Sequence, residues 1–318
     1  MTDRAEIDGF ATRDVATAHA SIFCHSGGSG PPLLLLHGFP QTSLMWRDVA
    51  PRLARDFTVI AADLPGYGRS GCPAQSEDHA AMSKRALAAA LVEAMAILGH
   101  TRFAIAGHDR GGRVAYRAAL DHPGTVTAAV VLDVIPTLDV WDRADDRLAL
   151  SFWPFSLLAQ PAPLPEQLIL GAPEAVVHNA LTQWGSAAGT FPAWVRDAYV
   201  AALRDPAHVH AICEEYRAAA STDRELDRAD RDAGRHIACP LLALWSDRGA
   251  LATWYENEGG PLGLWRRWAT NVEGQPVAGG HFFPEEQPAA TAALIRDFLR
   301  RALEKGATDG MPSRPRLP

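Results

Sequence analysis

The 318-residue chain is 47% hydrophobic and 21% charged, long enough to bury a large core and, in α/β architectures, to do so as one unit. Its formal net charge of −7 is spread without runs of one sign. That excludes the basic footprint of a nucleic-acid binder and means that a small anion is attracted only by positive charge focused inside a pocket. Cys24, Cys72, Cys213 and Cys239 form no C-x-x-C pair, so zinc knuckles, redox dithiols and a disulfide framework are not expected. The N-terminus MTDRAEIDGF lacks the apolar stretch of a signal peptide, and the longest aliphatic run, Leu33 to Leu36, is too short for a membrane span. A cytoplasmic protein is expected.

In chain order, Pro31-Pro32 introduces a predicted strand over 33–36, and 57–61 gives the next. The Ala-rich stretch from Asp78 to Leu98 reads as a helix, followed by a strand over 103–106, a helix over 110–120 and a strand over 128–132. After Ile135 the pattern turns Trp-rich, Pro-broken and helical until about Arg235. A strand over 240–245 resumes the sheet, and a helix from about Glu285 to Leu303 closes it. Alternating strands and helices predict a mostly parallel sheet flanked by helices. Residues 1–134 and 236–304 then form the sheet domain, 135–235 an inserted helical cap, and 305–318 a Gly- and Pro-rich tail expected to be disordered.

The segment Gly107-His-Asp-Arg-Gly111 carries the most chemistry. A strand ends at Gly107, a helix begins near Arg110, and Asp109 stands between them in a G-x-D-x-G frame. This is a nucleophile elbow with Asp in place of Ser, which points to the α/β-hydrolase fold. Glycine is needed on both sides because a Cβ there meets neighbouring backbone, and the helix N-terminus favours the ionised carboxylate. The plainer alternative is a helix N-cap, a role that suits Asp. His37-Gly-Phe39-Pro40 follows the first parallel strand, where the backbone N–H of Phe39, with that of Arg110, is placed to hold an oxyanion. Asp63-Leu-Pro-Gly-Tyr-Gly-Arg-Ser70 reads as a structural turn. His281, on the Gly279-Gly280 loop before the last helix, is the expected base. The acid that orients it is Asp133 or Asp247, since both follow strand ends.

A carboxylate nucleophile narrows the reaction. Attack on an ester gives an anhydride, whereas attack on an sp³ carbon bearing a leaving group gives an ester that His281-activated water can open. Alkyl halides and epoxides fit. Arg110 and Arg113 share a helix face beside Asp109, where cations oppose the helix dipole. Their guanidinium forks suit a substrate carboxylate, so a small anionic organic acid and water are the expected partners.

With these residues in place the chain resembles the fluoroacetate and haloacetate dehalogenases of the α/β-hydrolase fold, from about Pro32 to Leu299. The matching stretches are His37-Gly-Phe-Pro-Gln41, Gly107-His-Asp-Arg-Gly-Gly-Arg-Val-Ala-Tyr116, Ala159-Gln-Pro-Ala-Pro-Leu-Pro165, Cys213-Glu-Glu-Tyr-Arg217 and Gly280-His281. The resemblance implies Asp109 as nucleophile, His281 as base and Asp133 as acid, with Arg110 and Arg113 on the substrate carboxylate. It further implies Tyr216 at the departing halide, Trp184 near the pocket, a homodimer, and no metal or organic cofactor. One departure stands out. Where the fluoroacetate enzymes place His-Trp as fluoride donors, this chain has Pro154-Phe155, neither with a side-chain donor, and Trp153 is the nearest replacement. Each lost donor to developing charge costs about 2.7–4 kcal/mol, so chloride and bromide are expected to leave more readily than fluoride. Two other readings compete: an epoxide hydrolase taking a carboxylated epoxide, for which a second cap tyrosine beside Tyr216 is wanting, and a non-catalytic binding protein, which normally lacks a triad member. The tryptophans Trp141, Trp194, Trp254, Trp265 and Trp268 read as packing groups.

Overall fold

A computed structural model describes residues 6–187 and 189–309, with side chains through residue 304. The strands are β1 (Ala11–Ala16), β2 (Ser21–Gly28), β3 (Pro32–Leu36), β4 (Thr58–Ala62), β5 (Phe103–His108), β6 (Val126–Leu132), β7 (Leu241–Ser246) and β8 (Val272–Val277). They form one sheet in the order β1-β2-β4-β3-β5-β6-β7-β8. β1 and β2 pair antiparallel, β2 meets β4 antiparallel, and every pairing beyond is parallel.

The central strands are buried on both faces, which is why they are legible as short aliphatic runs. Successive side chains alternate between two cores. Leu34, Leu36, Ile105 and Val131 face the helices Lys84–Ile97 and Arg110–Asp121. Leu33, Leu35, Ala104 and Val130 pack with Ile295 and Leu299 of the last helix, Pro288–Asp309. Register then builds the site. Leu36 pairs with Gly107, Gly107 with Val131, and Val131 with Ala243. The carboxyl ends of β3, β5, β6 and β7 therefore reach one edge together, the place where open α/β sheets bind ligands.

Three boundaries differ from the sequence expectation. The helix foreseen from Asp78 begins only at Lys84: Ser83 is extended (ψ 152) and its side chain caps the Ala86 N–H, leaving a separate turn over Ala80–Met82. The helix expected from Glu285 is split, Phe283–Glu286 and then Pro288–Asp309, because Pro288 lacks the N–H that continuity needs. That last helix also runs past Lys305, where a disordered tail was expected to begin; residues 310–318 lie outside the described residues. β1, β2 and β8 went unforeseen.

Between β6 and β7 the chain forms a run of helices from Thr137–Asp142 to Thr222–Asp232. Buried ionic contacts tie them to the sheet layer. Glu215, on the helix Pro206–Ala220, accepts from Arg110 and Lys84, and Asp223 accepts from Lys84 at 3.2 Å. Asp227 accepts the Tyr116 hydroxyl at 2.7 Å. Among the described residues no helix is long and apolar enough to cross a membrane.

Candidate active site

Asp109 lies between β5 and the helix Arg110–Asp121 at φ 48, ψ −117, and its side chain makes no capping hydrogen bond. It stands at the N-cap position without capping the helix through its side chain. A positive φ in a residue with a Cβ marks a strained turn that the surroundings must enforce, and glycines allow it. A Cβ on Gly107 would overlap the backbone of Gly111, one on Gly111 would overlap that of His37 and Leu36, and one on Gly38 would strike the Asp109 side chain. The Phe39 N–H donates to Asp109 Oδ1 at 3.0 Å. The Arg110 N–H, expected beside it, makes no hydrogen bond to that carboxylate. Burial opposes ionisation of Asp109, yet His281, Arg110, His108 and the Phe39 N–H outweigh it and hold the carboxyl below its ordinary value.

His281 meets this carboxylate from the loop after β8. Its Nδ1 stands 2.6 Å from Asp133 Oδ2, and its Nε2 stands 3.8 Å from Asp109 Oδ2 with no hydrogen-bond partner. Asp133 thus fixes the tautomer with the Nδ1 proton, leaving the Nε2 lone pair aimed at Asp109. The Ser246 N–H holds the other Asp133 oxygen at 2.8 Å. Burial lowers the imidazole pKa, but the Asp133 hydrogen bond and charge, with Asp109 and Glu286, leave it raised. Beneath it His108 stays neutral, pushed down to about 4 by burial and by His281, and bonds through Nε2 to the His281 carbonyl at 2.8 Å. Asp247, the other candidate acid, accepts the Gly279 N–H at 3.0 Å and so braces the loop rather than the imidazole.

The two arginines part company. Arg110 is wholly buried, and its Nε donates to both oxygens of Glu215 at 2.7 and 3.0 Å while the guanidinium lies 3.9 Å over the Tyr216 ring. Arg113 donates Nη1 to the Ile135 carbonyl at 3.1 Å and to Thr137 Oγ1 at 3.3 Å. It is 4% exposed, and no carboxylate lies within 4.0 Å of it among the described residues. Burial first, and Arg110 second, lower its pKa.

An elbow, a buried imidazole–carboxylate pair and a mostly parallel sheet are joined by likeness to known proteins. The profile of the α/β hydrolase fold family matches residues 31–288. The chain belongs to the α/β-hydrolase family. It is 42% identical to a fluoroacetate dehalogenase from Burkholderia sp, over 93% of this chain and 95% of that one. It is 32% identical to a soluble epoxide hydrolase from Corynebacterium sp. (strain C12), over 83% and 88%. A candidate α/β hydrolase from Nostoc sp PCC 7120 superposes with a TM-score of 0.89 at 42% identity, covering 92% and 99% of the two chains.

In this α/β hydrolase two spaces share His281 and Asp133 in their walls. A small inner chamber of about 40 Å³ is bounded by Asp109, Arg113, Asp133 and His281 on its polar side. Phe155, Phe152, Trp254 and Tyr255 bound it elsewhere. An outer cavity of about 600 Å³ shares Phe152, Ala250, Trp254 and His281 with it and opens past Trp153, Asn179 and Arg248. Arg113 reaches the inner chamber; Arg110 lines neither space.

The aromatic residues foreseen near the hydrolase site are close to it in different ways. The Trp184 ring sits edge-on to His281 at 5.5 Å, and its Nε1 donates to the Ser151 carbonyl at 2.9 Å. Trp153 faces the outer cavity with its Nε1 committed to Asn179 Oδ1 at 2.8 Å, so it offers no free donor to a leaving group. Phe39 is fully buried, edge-on to Trp153 and Tyr216. Tyr216 lies between Arg110 and Phe155. Sequence reasoning missed Trp254 and Tyr255 as chamber walls and Glu215 as the partner of Arg110. For Glu215 a signal existed: an acid stands beside Tyr216 in the matched Cys213-Glu-Glu-Tyr-Arg217 stretch. The turns that carry Trp254 and Tyr255 have no periodicity to read.

Proposed function

We propose that this hydrolase removes halogen from small 2-halocarboxylates. The observation that carries the reading is Arg113: a buried cation with no acidic partner, on the wall of the chamber that also holds the Asp109 carboxylate and the free Nε2 of His281. A buried unpaired charge is costly, and a substrate carboxylate supplies what is missing. Anchored there, the acid presents its α-carbon to Asp109 Oδ2, the oxygen not held by Phe39. Oδ2 displaces the halide, which departs with the bonding electrons, and an ester forms. Water then adds to Asp109 Cγ and gives its proton to His281 Nε2, while the charge gathers on Oδ1 at the Phe39 N–H. Collapse of that adduct releases the 2-hydroxy acid and restores Asp109.

The helices between β6 and β7 act in this proposal as a cap that walls the chamber. By resemblance to the haloacetate enzymes the protein is further proposed to work as a cytoplasmic homodimer without metal or organic cofactor. Phe155 supports a preference among halides. Its ring lies in the wall 5.2 Å from the Arg113 guanidinium and brings no donor to fluoride. Halide release from fluoro-, chloro- and bromoacetate, measured beside Asp109→Asn, tests the reading. Chloride and bromide release abolished in the variant is expected, with fluoride slowest; no halide from any of the three refutes it.

One observation favours a second reading. Tyr255 is 7% exposed on the chamber wall and its hydroxyl makes no hydrogen bond among the described residues. Such a phenol can protonate an alkoxide, the part that two tyrosines play in opening an epoxide. Hydrolysis of glycidate without halide release from the haloacids would favour it.

A further inference from the structure

We infer that the acid this site handles carries a short alkyl group on its halogen-bearing carbon, and that the apolar wall of the inner chamber holds that group. The inference rests on the 2-haloacid reading and adds the shape of the substrate to it. A carboxylate on Arg113 and an α-carbon at Asp109 Oδ2 occupy the polar side of the chamber. The two hydrogens of a haloacetate then need no wall at all.

The chamber nevertheless has an extensive one. Ile135, Val140, Leu148, Phe155 and Tyr255 line it and, with Leu264, form an apolar cluster separate from the two cores that flank the sheet. Leu251 and Trp254 line it too and remain partly exposed against that cluster. These side chains belong to neither of the two cores that flank the sheet and present hydrocarbon to the site. A methyl or ethyl group placed there leaves water, which strengthens binding by about fourfold per methylene. The chamber's size sets the limit: an apolar cavity of about 150 Å³ takes benzene, and this one, at about 40 Å³, meets the rest of the acid as well and so admits only the shortest alkyl groups.

Chirality follows. With an alkyl group the α-carbon is a stereocentre, and one polar side with one apolar wall accepts one enantiomer. Oδ2 attacks opposite the departing halide and inverts the centre. Later hydrolysis breaks the Cγ–Oδ2 bond and leaves the new C–O bond intact, so the inversion is retained in the 2-hydroxy acid.

Affinity is best read on an enzyme that cannot react, because an α-alkyl group slows displacement for reasons unrelated to binding. The experiment is titration calorimetry of Asp109→Asn with chloroacetate and with each enantiomer of 2-chloropropionate and 2-chlorobutyrate, beside chloride release by the wild-type enzyme. One enantiomer of 2-chloropropionate is expected to bind about fourfold tighter than chloroacetate, with a further gain for 2-chlorobutyrate. Adding Leu251→Asn is expected to erase the gain of the substituted acids over chloroacetate. If chloroacetate binds and is turned over while both enantiomers of the substituted acids bind no better, the inference is overturned and the dehalogenase reading stands. If no acid binds and no chloride appears, both fall.

Discussion

Arg110 and Glu215 form a fully buried ion pair, with Nε 2.7 Å from Oε2 and both side chains shut off from solvent. Lys84 holds the same carboxylate from the other side, and the two cations keep Glu215 ionised despite its burial. Glu215→Gln strands the buried Arg110, while Lys84 keeps Asp223, and is expected to cost about 3–5 kcal/mol of stability, read as a lower urea midpoint. Arg113 behaves oppositely, having no acid to strand. Arg113→Met is expected to leave the midpoint unchanged or higher while raising KM for chloroacetate about 10–100-fold, the worth of a charge-assisted hydrogen bond. A fall in stability with KM intact contradicts its assignment as the anchor.

In the proposed mechanism His281→Ala removes the group that activates water and leaves the displacement step in place. The variant incubated with chloroacetate is expected to release about one equivalent of chloride and to gain one carboxymethyl group on Asp109, seen by mass spectrometry of the intact protein and its peptides. The wild-type pH dependence has a defined sign. Hydrolysis needs the neutral imidazole, and His281 titrates above the ordinary histidine value partly because of the Asp109 charge. Esterification removes that charge. The acid limb for ester decay is therefore expected at lower pH than the His281 titration of the free enzyme measured by NMR, and coincidence of the two contradicts the arrangement.

Asp133 and Asp247 can be separated by their amides. Asp133→Asn loses the partner that fixes the His281 tautomer, and turnover is expected to fall by about 10⁴. Asp247→Asn keeps an oxygen for the Gly279 N–H and is expected to stay within a few-fold of wild type. Equal losses contradict the division of labour.

Asp227 lines neither space of the site, yet burial pushes its pKa up to about 7, against the hydrogen bond from Tyr116 and the charge of Arg117. A carboxyl raised on folding favours the protonated native state. Its contribution is complete below the unfolded value near 4, shrinks as pH rises through about 7, and is absent above. Asp227→Asn retains an acceptor for Tyr116 and for the Leu138 N–H and no longer titrates. The wild-type urea midpoint is expected to drop between pH 5 and pH 8 by more than the variant's, by roughly a few kcal/mol of stability; parallel profiles contradict the raised carboxyl.

The parts legible in the sequence are those that physics ties to fixed spacing. Gly107, Asp109 and Gly111 had to appear in that frame because their backbones touch. β3, β5 and β6 announced themselves because burial on both faces leaves only apolar residues. β8, reading VEGQPV at the sheet edge, carries Glu, Gly and Pro and has no such signature. The choice between Asp133 and Asp247 was invisible because it depends on β6, not β7, neighbouring β5. That Arg110 and Arg113 share a helix face was readable. That only one of them meets an acid was settled by Glu215, 105 residues away.

The His281 N–H donates to the Trp184 carbonyl at 2.8 Å, and Gly280 packs so closely on Gly185 that a Cβ would not fit. Ser186 adds a hydrogen bond to Glu286 at 2.7 Å. Mechanically, the roof of the site is bolted to the loop that carries the imidazole. Swinging it away as a rigid lid would pull His281 off Asp133 and dismantle the machinery with every turnover. Access to the imidazole then depends on smaller parts, and the rings of Phe152 and Trp254 are wall to both spaces.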